Sequence, residues 1–393
     1  MTAIAGAPRL SPELRATAFY FTLYMSAGAG TVFAGIWLQQ KGMSSEQIGI
    51  INAVPVLVML VLNLVVGRIA DKADDWRQVI VLGALAAGII PIGLFFVRDF
   101  WGILLFWTLA AIPIASIGPV ADAATMRMTR RNGTDYGVIR AWGTVGYMAV
   151  IFLTGYLVVW FGSDIFLPLF IGLALLRGLV SIGLPRFRAP GHEHTLTTKS
   201  GAGRLLEVMK PWFLLPLIGW SMVFGTHLIL NAFSALLWKE QGIPADVIGL
   251  LIALGALSEA AMMFVFARFV RRFSARSLIL CSALVSALRW ATMGFSPGVE
   301  ILFGLQLLHS VTFAMGFMGC VHFIANWTSE DIAAEAQSFF QVLQQAMSVI
   351  ALVAFGWLVG LMGAKAYLVA AAFAALGGAL VWASLRLKQP KAA

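Results

Sequence analysis

Twelve stretches of this chain are apolar over roughly the 20 residues that a helix needs to cross the hydrocarbon core of a bilayer. They lie near 16–38, 46–67, 78–97, 100–126, 136–160, 164–184, 210–237, 246–267, 276–295, 300–326, 335–361 and 364–385. No other feature restricts the fold so tightly. In hydrocarbon each unsatisfied backbone N–H or C=O costs several kcal/mol, so a chain spans as helices or as a closed barrel. The ten-residue alternation of barrel strands is absent. The expected fold is therefore an all-α membrane protein with twelve transmembrane helices. Composition agrees: 60% of the residues are hydrophobic and 11% charged, against about 45–50% and about 25% in soluble domains. The first run follows Arg9 and Arg15. It is too long for a signal-peptide core and has no small-residue cleavage site, so it is expected to stay as the first helix. Cys281 and Cys320 both sit in apolar runs, which indicates neither a disulfide framework nor a metal cluster.

Lysine and arginine predict the orientation. With the N-terminus cytoplasmic, 20 of the 27 basic residues fall on inner segments, four on outer loops (Lys41, Arg98, Lys239, Lys365) and three inside helices (Arg140, Arg177, Arg289). Both termini are expected inside, and the +9 charge reads as membrane orientation and not as nucleic-acid binding. The inner segment 327–334 carries no Lys or Arg. The stretch PRFRAPGHEHTLTTKSGAGR is polar and rich in Pro and Gly, the composition of a flexible linker. It predicts six helices in 1–184, a cytoplasmic linker at 185–209 and six helices in 210–393. The two parts also align with each other. At a shift of 200 residues, 42–68 and 242–268 share seven of 27 positions, among them Gly42/Gly242, Gly49/Gly249 and Arg68/Arg268. That pattern fits a parallel repeat, a design in which substrate binds near the midplane.

Three stretches carry a family resemblance. GRIADKADDWR (67–77) resembles the loop signature of the major facilitator superfamily, in which a glycine packs closely and an acid and basic residues latch one gate state. This assigns Gly67, Arg68, Asp71 and Arg77 to gating. Its repeat counterpart, ARFVRRFSAR (267–276), has Arg271 where the repeat would place Asp71. DYGVIRAWGTVGY (135–147), with PVADAATM before it and QLLHSVTFAMGF (306–317) after, resembles the phenylpropionate permease branch, near the lactose permease and nucleoside–proton symporter groups. The resemblance implies proton-coupled uptake of a small organic solute, aromatic acids among them.

The intramembrane polar residues supply the candidate site. An ionisable group inside a span costs roughly 2.5–3.5 kcal/mol on insertion scales and usually faces the bundle interior. Glu259 is the one carboxylate at the midplane of the C-terminal half. Counted from the outer helix ends, Asn231 and Arg289 lie about seven residues deep, His309 about nine, His227 about eleven and Glu259 about thirteen, one slab about 10 Å thick. Lactose permease resembles this arrangement, with Glu, Arg and His on successive helices. Glu259, Arg289 and His309 are the expected proton-coupling set: a titratable acid, a permanent cation and a relay or substrate donor. His227, Asn231, Tyr24, Asn52, Gln341, Gln345 and Arg289 are the expected substrate contacts, with Gln337 and Gln344 on the same polar stripe. Asp122 and Arg140 are expected as a gating pair, with substrate contact the second reading. Most of these readings have a structural rival: a fixed ion pair, or polar groups that bind helix to helix.

The sequence thus predicts a monomeric secondary transporter of a bacterial-type inner membrane, importing a small organic acid with protons by alternating access. Its partners are substrate, protons and the bilayer, with no cofactor, metal or nucleic acid. A neutral sugar or nucleoside as cargo, and proton-driven export, are the alternatives. There is no P-loop and no H-E-x-x-H, so neither a primary pump nor a zinc hydrolase of that kind is indicated.

Overall fold

The computed structural model describes residues 10–72, 75–187, 209–328 and 330–387. Its elements are α1 (Pro12–Val32), α2 (Ala34–Gln40), α3 (Ser45–Lys72), α4 (Trp76–Ile89), α5 (Phe100–Asn132), α6 (Tyr136–Phe161), α7 (Phe166–Ile182), α8 (Pro211–Glu240), α9 (Ala245–Val270), α10 (Ala275–Met293), α11 (Val299–Leu307), α12 (Gly316–Trp327), α13 (Glu330–Met362) and α14 (Ala366–Leu385). A π-helical turn, Ser310–Met315, joins α11 to α12. Among the described residues there are helices and turns and no strand, as a chain with twelve apolar runs requires. Each run coincides with a helix or a broken helix. Among the described residues seven helical segments are long and apolar enough to cross a membrane, or eight if the pair Pro12–Gly30 and Ala34–Gln40 is one bent span. One of the seven, Ala336–Leu385, runs through the 3-10 turn Gly363–Lys365 and so contains both α14 and most of α13. Two further segments, Ser45–Leu60 and Phe100–Ile114, are apolar but shorter, and α10 carries Arg276 and Arg289.

Local chemistry sets many of the ends. Asp75, Asp99 and Ser274 cap α4, α5 and α10 by accepting from the backbone N–H of Arg77, Gly102 and Ser277, which satisfies donors that a helix start leaves open. The repeat is visible in the turns. Gly42 and Gly242 have φ of +83° and +84°, a conformation that glycine adopts without cost. Around them the same bonds recur: Met43 N–H to Leu38 O at 3.1 Å, and Ile243 N–H to Trp238 O at 3.0 Å. Likewise the 3-10 turns Ser163–Ile165 and Gly363–Lys365 lead into helices that begin at Phe166 and Ala366.

The chain packs as two compact units. The first comprises Met1–Thr31, Val61–Thr154 and Asp164–His194. Its core joins Phe19, Tyr20, Trp76, Ile80, Ile117 and Ala124, with α4 against α5 and α7. Arg77 donates to the carbonyls of Leu184 (2.7 Å) and Ile182 (2.6 Å), so it closes the C-terminal end of α7, where carbonyls lack intrahelical partners. The second unit comprises Val32–Leu60, Gly155–Ser163 and Thr195–Ala393. In it α8 packs on α13 and α14, and α10 on α12 and α14. This grouping crosses the expected division at the linker. Segments from the first half of the sequence join the second unit because backbone meets backbone there: a Cβ at Gly49 would lie 2.6 Å from the Leu352 carbonyl, and one at Gly356 2.7 Å from the Ser45 carbonyl. Gly360, the other end of the G-x-x-x-G motif, has nothing within 4 Å of such a Cβ. Residues 188–208, most of the expected linker, lie outside the described residues. So do the surroundings of Gly67 and the side chains of Arg68 and Asp71.

Candidate functional site

Four helical segments of the second unit turn polar groups toward one another. Helix α8 is buried along most of its length and carries His227, 1% exposed. Helix α10 carries Arg289, 0% exposed, and α9 carries Glu259, half-buried. The fourth contribution comes from the broken stretch α11–π–α12. The π turn inserts a residue into the helical repeat, a feature frequent at functional sites. Leu308 O receives both Val311 N–H (3.0 Å) and Thr312 N–H (2.8 Å), while Thr312 O accepts from Ser282 Oγ at 2.9 Å. The widened turn places His309 and Thr312 on the face that meets α8 and α10.

Arginine has no acceptor, so its partners fix the protons around it. Arg289 Nη2 donates to Gln306 Oε1 at 3.0 Å, and Nη1 lies 3.0 Å from both Thr312 Oγ1 and His309 Nδ1. His309 Nδ1 must then be a lone-pair acceptor. The neutral ring carries its proton on Nε2, and that proton faces Glu259 Oε2 at 3.4 Å. His227 is fixed the same way. Its Nδ1 lies 2.9 Å from the Val223 carbonyl and must donate there, so Nε2 accepts from the Thr312 hydroxyl at 3.1 Å. The wiring therefore runs Arg289 to Thr312 to His227 on one side, and Arg289 to His309 to Glu259 on the other. The expected Arg289–Glu259 partnership takes the form of a line with the His309 imidazole inside it. Aromatic rings enclose it: Trp290 under the guanidinium at 4.9 Å, and a stack of His309, Phe313 and Phe317 at centroid spacings of 5.3 and 6.3 Å.

Sequence reasoning missed Gln306 and Thr312, each three residues from His309 and so on its face of a helix. That spacing was the available signal. Replacing Thr312 by Val removes the hydroxyl and leaves Arg289 Nη1 and His227 Nε2 each short of a buried partner. The expected loss is about 1–3 kcal/mol, read as a lower unfolding temperature of the purified protein.

The first unit holds the second polar cluster. Asp122 Oδ1 accepts from Tyr20 (2.7 Å) and Tyr136 (2.8 Å), and Arg140 Nε stands 4.0 Å away. The Arg140 and Asp122 side chains are 34% and 38% exposed, and the guanidinium lies over the Tyr24 ring at 4.1 Å. The expected Asp122–Arg140 pair and Tyr24 thus come together. The remaining candidates stand apart from these clusters. Asn52 Nδ2 donates to Ile48 O on its own helix at 2.9 Å. Asn231 and Gln341 are exposed, Gln337 and Gln345 are half-buried, and Gln344 is buried.

Comparison with known proteins agrees with this picture. The model of the MFS_1 like family matches residues 14–381. A probable 3-phenylpropionic acid transporter of Escherichia coli (strain K12) is 27% identical over 318 residues, 78% of this chain and 80% of that protein. The maltose permease of Geobacillus stearothermophilus is 24% identical over 83% of this chain and 82% of its own. Among solved structures, the nucleoside transporter NupG superposes with a TM-score of 0.83 at 15% identity, covering 96% of this chain and 100% of that one. The chain is a membrane-embedded, multi-pass transporter and not an enzyme, and it belongs to the MFS_1 like family of the major facilitator superfamily.

Proposed function

We propose that the protein imports a small organic acid together with protons across a bacterial inner membrane. In this reading it works as a monomer of twelve helices in two six-helix bundles, with both termini cytoplasmic. The observation that carries the proton coupling is the line Glu259–His309–Arg289. Glu259 is the most exposed member, its side chain 26% exposed, and can exchange a proton without breaking an existing hydrogen bond of Arg289. Protonating His309 at Nδ1 would set two donors against each other, so His309 takes a second proton only after Arg289 has moved. Glu259 is therefore the resting proton site, and His309 conveys its charge state to Arg289. Loading Glu259 removes a negative charge from a low-dielectric site, which changes the balance that holds Arg289 in place.

Arg140 is the cation presented for a substrate carboxylate. Arg289 has its Nη atoms engaged by protein groups, whereas Arg140 is part-exposed and rests on an aromatic face. Arg140→Lys keeps the charge but loses the planar fork. It is expected to weaken acid transport about tenfold through KM, measured as concentration-dependent uptake. The test of the whole reading is uptake into proteoliposomes under an imposed proton gradient, with a panel of aromatic acids, sugars and nucleosides as competitors. Accumulation that ignores the proton gradient would overturn the coupling. A neutral sugar or nucleoside as cargo is the second reading. It is favoured by the same enclosure of Arg289, which leaves the C-terminal cluster without a free cation, and competition by neutral solutes alone would establish it.

A further inference from the structure

One basic stretch singled out in the sequence has no part in this mechanism. ARFVRRFSAR occupies the end of α9 and the turn into α10, where the repeat has arginine in place of the acid of its N-terminal counterpart. Past Phe266 the chain turns basic, with Arg268, Arg271 and Arg272 within five residues, the pattern of a spanning helix leaving the hydrocarbon. A groove of about 710 Å³ opens there, lined by Val265, Arg268, Phe269, Arg271, Arg272 and Phe273. Val265, Phe269 and Phe273 recur every four residues, and Arg268 and Arg272 follow the same interval beside them, so one side of the turn has an apolar floor and a cationic rim. Val265 and Phe269 also pack on the core cluster of Met262, Phe266, Leu278 and Met315, which anchors the floor. Arg268 and Arg272 are exposed, Phe273 is 54% exposed, and Phe264, in the last turn of the span, is 88% exposed. Arg276 is turned away: it is buried and donates to the Ser384 carbonyl, pinning the turn to α14.

We propose that this groove is a binding site for an anionic phospholipid, whose phosphate is held between Arg268 and Arg272 and whose acyl chain lies along Phe264. The described lining is cationic and carries no acid, and a guanidinium fork matches two phosphate oxygens where an ammonium offers a point charge. Basic pockets at the ends of spanning helices are suited to anionic headgroups, and the rim is placed where a headgroup sits. A soluble anion would use the arginines but not the aromatic floor.

The test uses the full-length protein in detergent, titrated with phosphatidylglycerol and followed as the one-to-one adduct by native mass spectrometry. Arg268→Ala with Arg272→Ala is expected to weaken binding roughly thirtyfold, as for the loss of two surface charge contacts. Arg268→Lys with Arg272→Lys keeps the charge and is expected to weaken it about fivefold. Arg186→Ala, which removes an exposed arginine outside the groove, should leave binding unchanged, and phosphatidylcholine should bind at the level of the double alanine variant. Four results each overturn the proposal: equal binding by the double alanine variant, full rescue by lysine, equal weakening by Arg186→Ala, or displacement of the lipid by millimolar inorganic phosphate. The lysine variant keeps the surface charge and serves as the folding control.

Discussion

Proteoliposomes carrying Glu259→Gln should equilibrate substrate but fail to accumulate it against a gradient. An inward gradient of one pH unit stores about 1.4 kcal/mol per proton, enough for about tenfold accumulation at one proton per substrate. The variant should fall to about onefold, while exchange of labelled for unlabelled substrate continues at near its original rate. The reason lies in the geometry at Glu259. Glutamine has the same length, and its carbonyl oxygen can face the His309 Nε2 proton as Glu259 Oε2 does at 3.4 Å. The substitution therefore keeps the line to Arg289 and removes only the ability to bind and release a proton. A carrier locked in the neutral form of this residue can still reorient with cargo, so exchange survives. Accumulation at the wild-type level by Glu259→Gln would sink the proposed role of this carboxylate. Loss of exchange together with accumulation would point instead to a structural part in holding His309.

The outcome for Glu259→Gln follows from the sequence, but the path through His309 is visible only in the coordinates, because the sequence shows depth and not direction. Glu259, Arg289, His309 and His227 were legible as one slab, since a charge inside an apolar run stands out and 1.5 Å per residue converts position to height. Their order was not legible. The line through His309 depends on the π turn at Ser310–Met315, and the stretch around it has no proline or glycine pair to announce a break in register. Gln306 and Thr312 were passed over because uncharged polar residues are common in spanning helices and carry little signal one at a time. The helices themselves were legible for the opposite reason: twelve apolar runs leave the backbone no other way to satisfy its hydrogen bonds. Of the four residues expected to form a latch at 67–77, Arg77 is the one whose side chain is described. Arg77, expected at a gate, closes the C-terminal end of α7. A helix end offers an arginine several unpaired carbonyls, and nothing in the local sequence reveals that such an end lies nearby.

The two crossing glycines yield the other large effect. Helices α3 and α13 meet with their backbones in contact, and a Cβ at Gly356 would sit 2.7 Å from the Ser45 carbonyl and 3.0 Å from the Gly49 Cα. These atoms are backbone and cannot rotate aside, so even alanine must push the helices apart. Leucine there costs about 1–3 kcal/mol of overpacking, and each 1.4 kcal/mol is a tenfold change in population. If the transport cycle makes and breaks this contact, Gly356→Leu should deplete the closed form roughly ten- to hundredfold and cut uptake to a similar degree. In the proposed orientation this crossing lies near the outer ends of both helices, so the same variant should expose it from outside. The measurement is labelling of a cysteine introduced at Ser45 by a membrane-impermeant thiol reagent, in a background where the exposed Cys281 is replaced by Ser. Labelling should accelerate in Gly356→Leu and change little in Gly360→Leu, because a Cβ at Gly360 would have nothing within 4 Å and leucine there meets open space. Unchanged labelling with full uptake in Gly356→Leu would mean that the contact tolerates separation and does not act as a gate. Faster labelling in both variants would mean that the helix loosens as a whole. Only the split between the two positions, four residues and about one turn apart, assigns the effect to the close approach of α3 and α13.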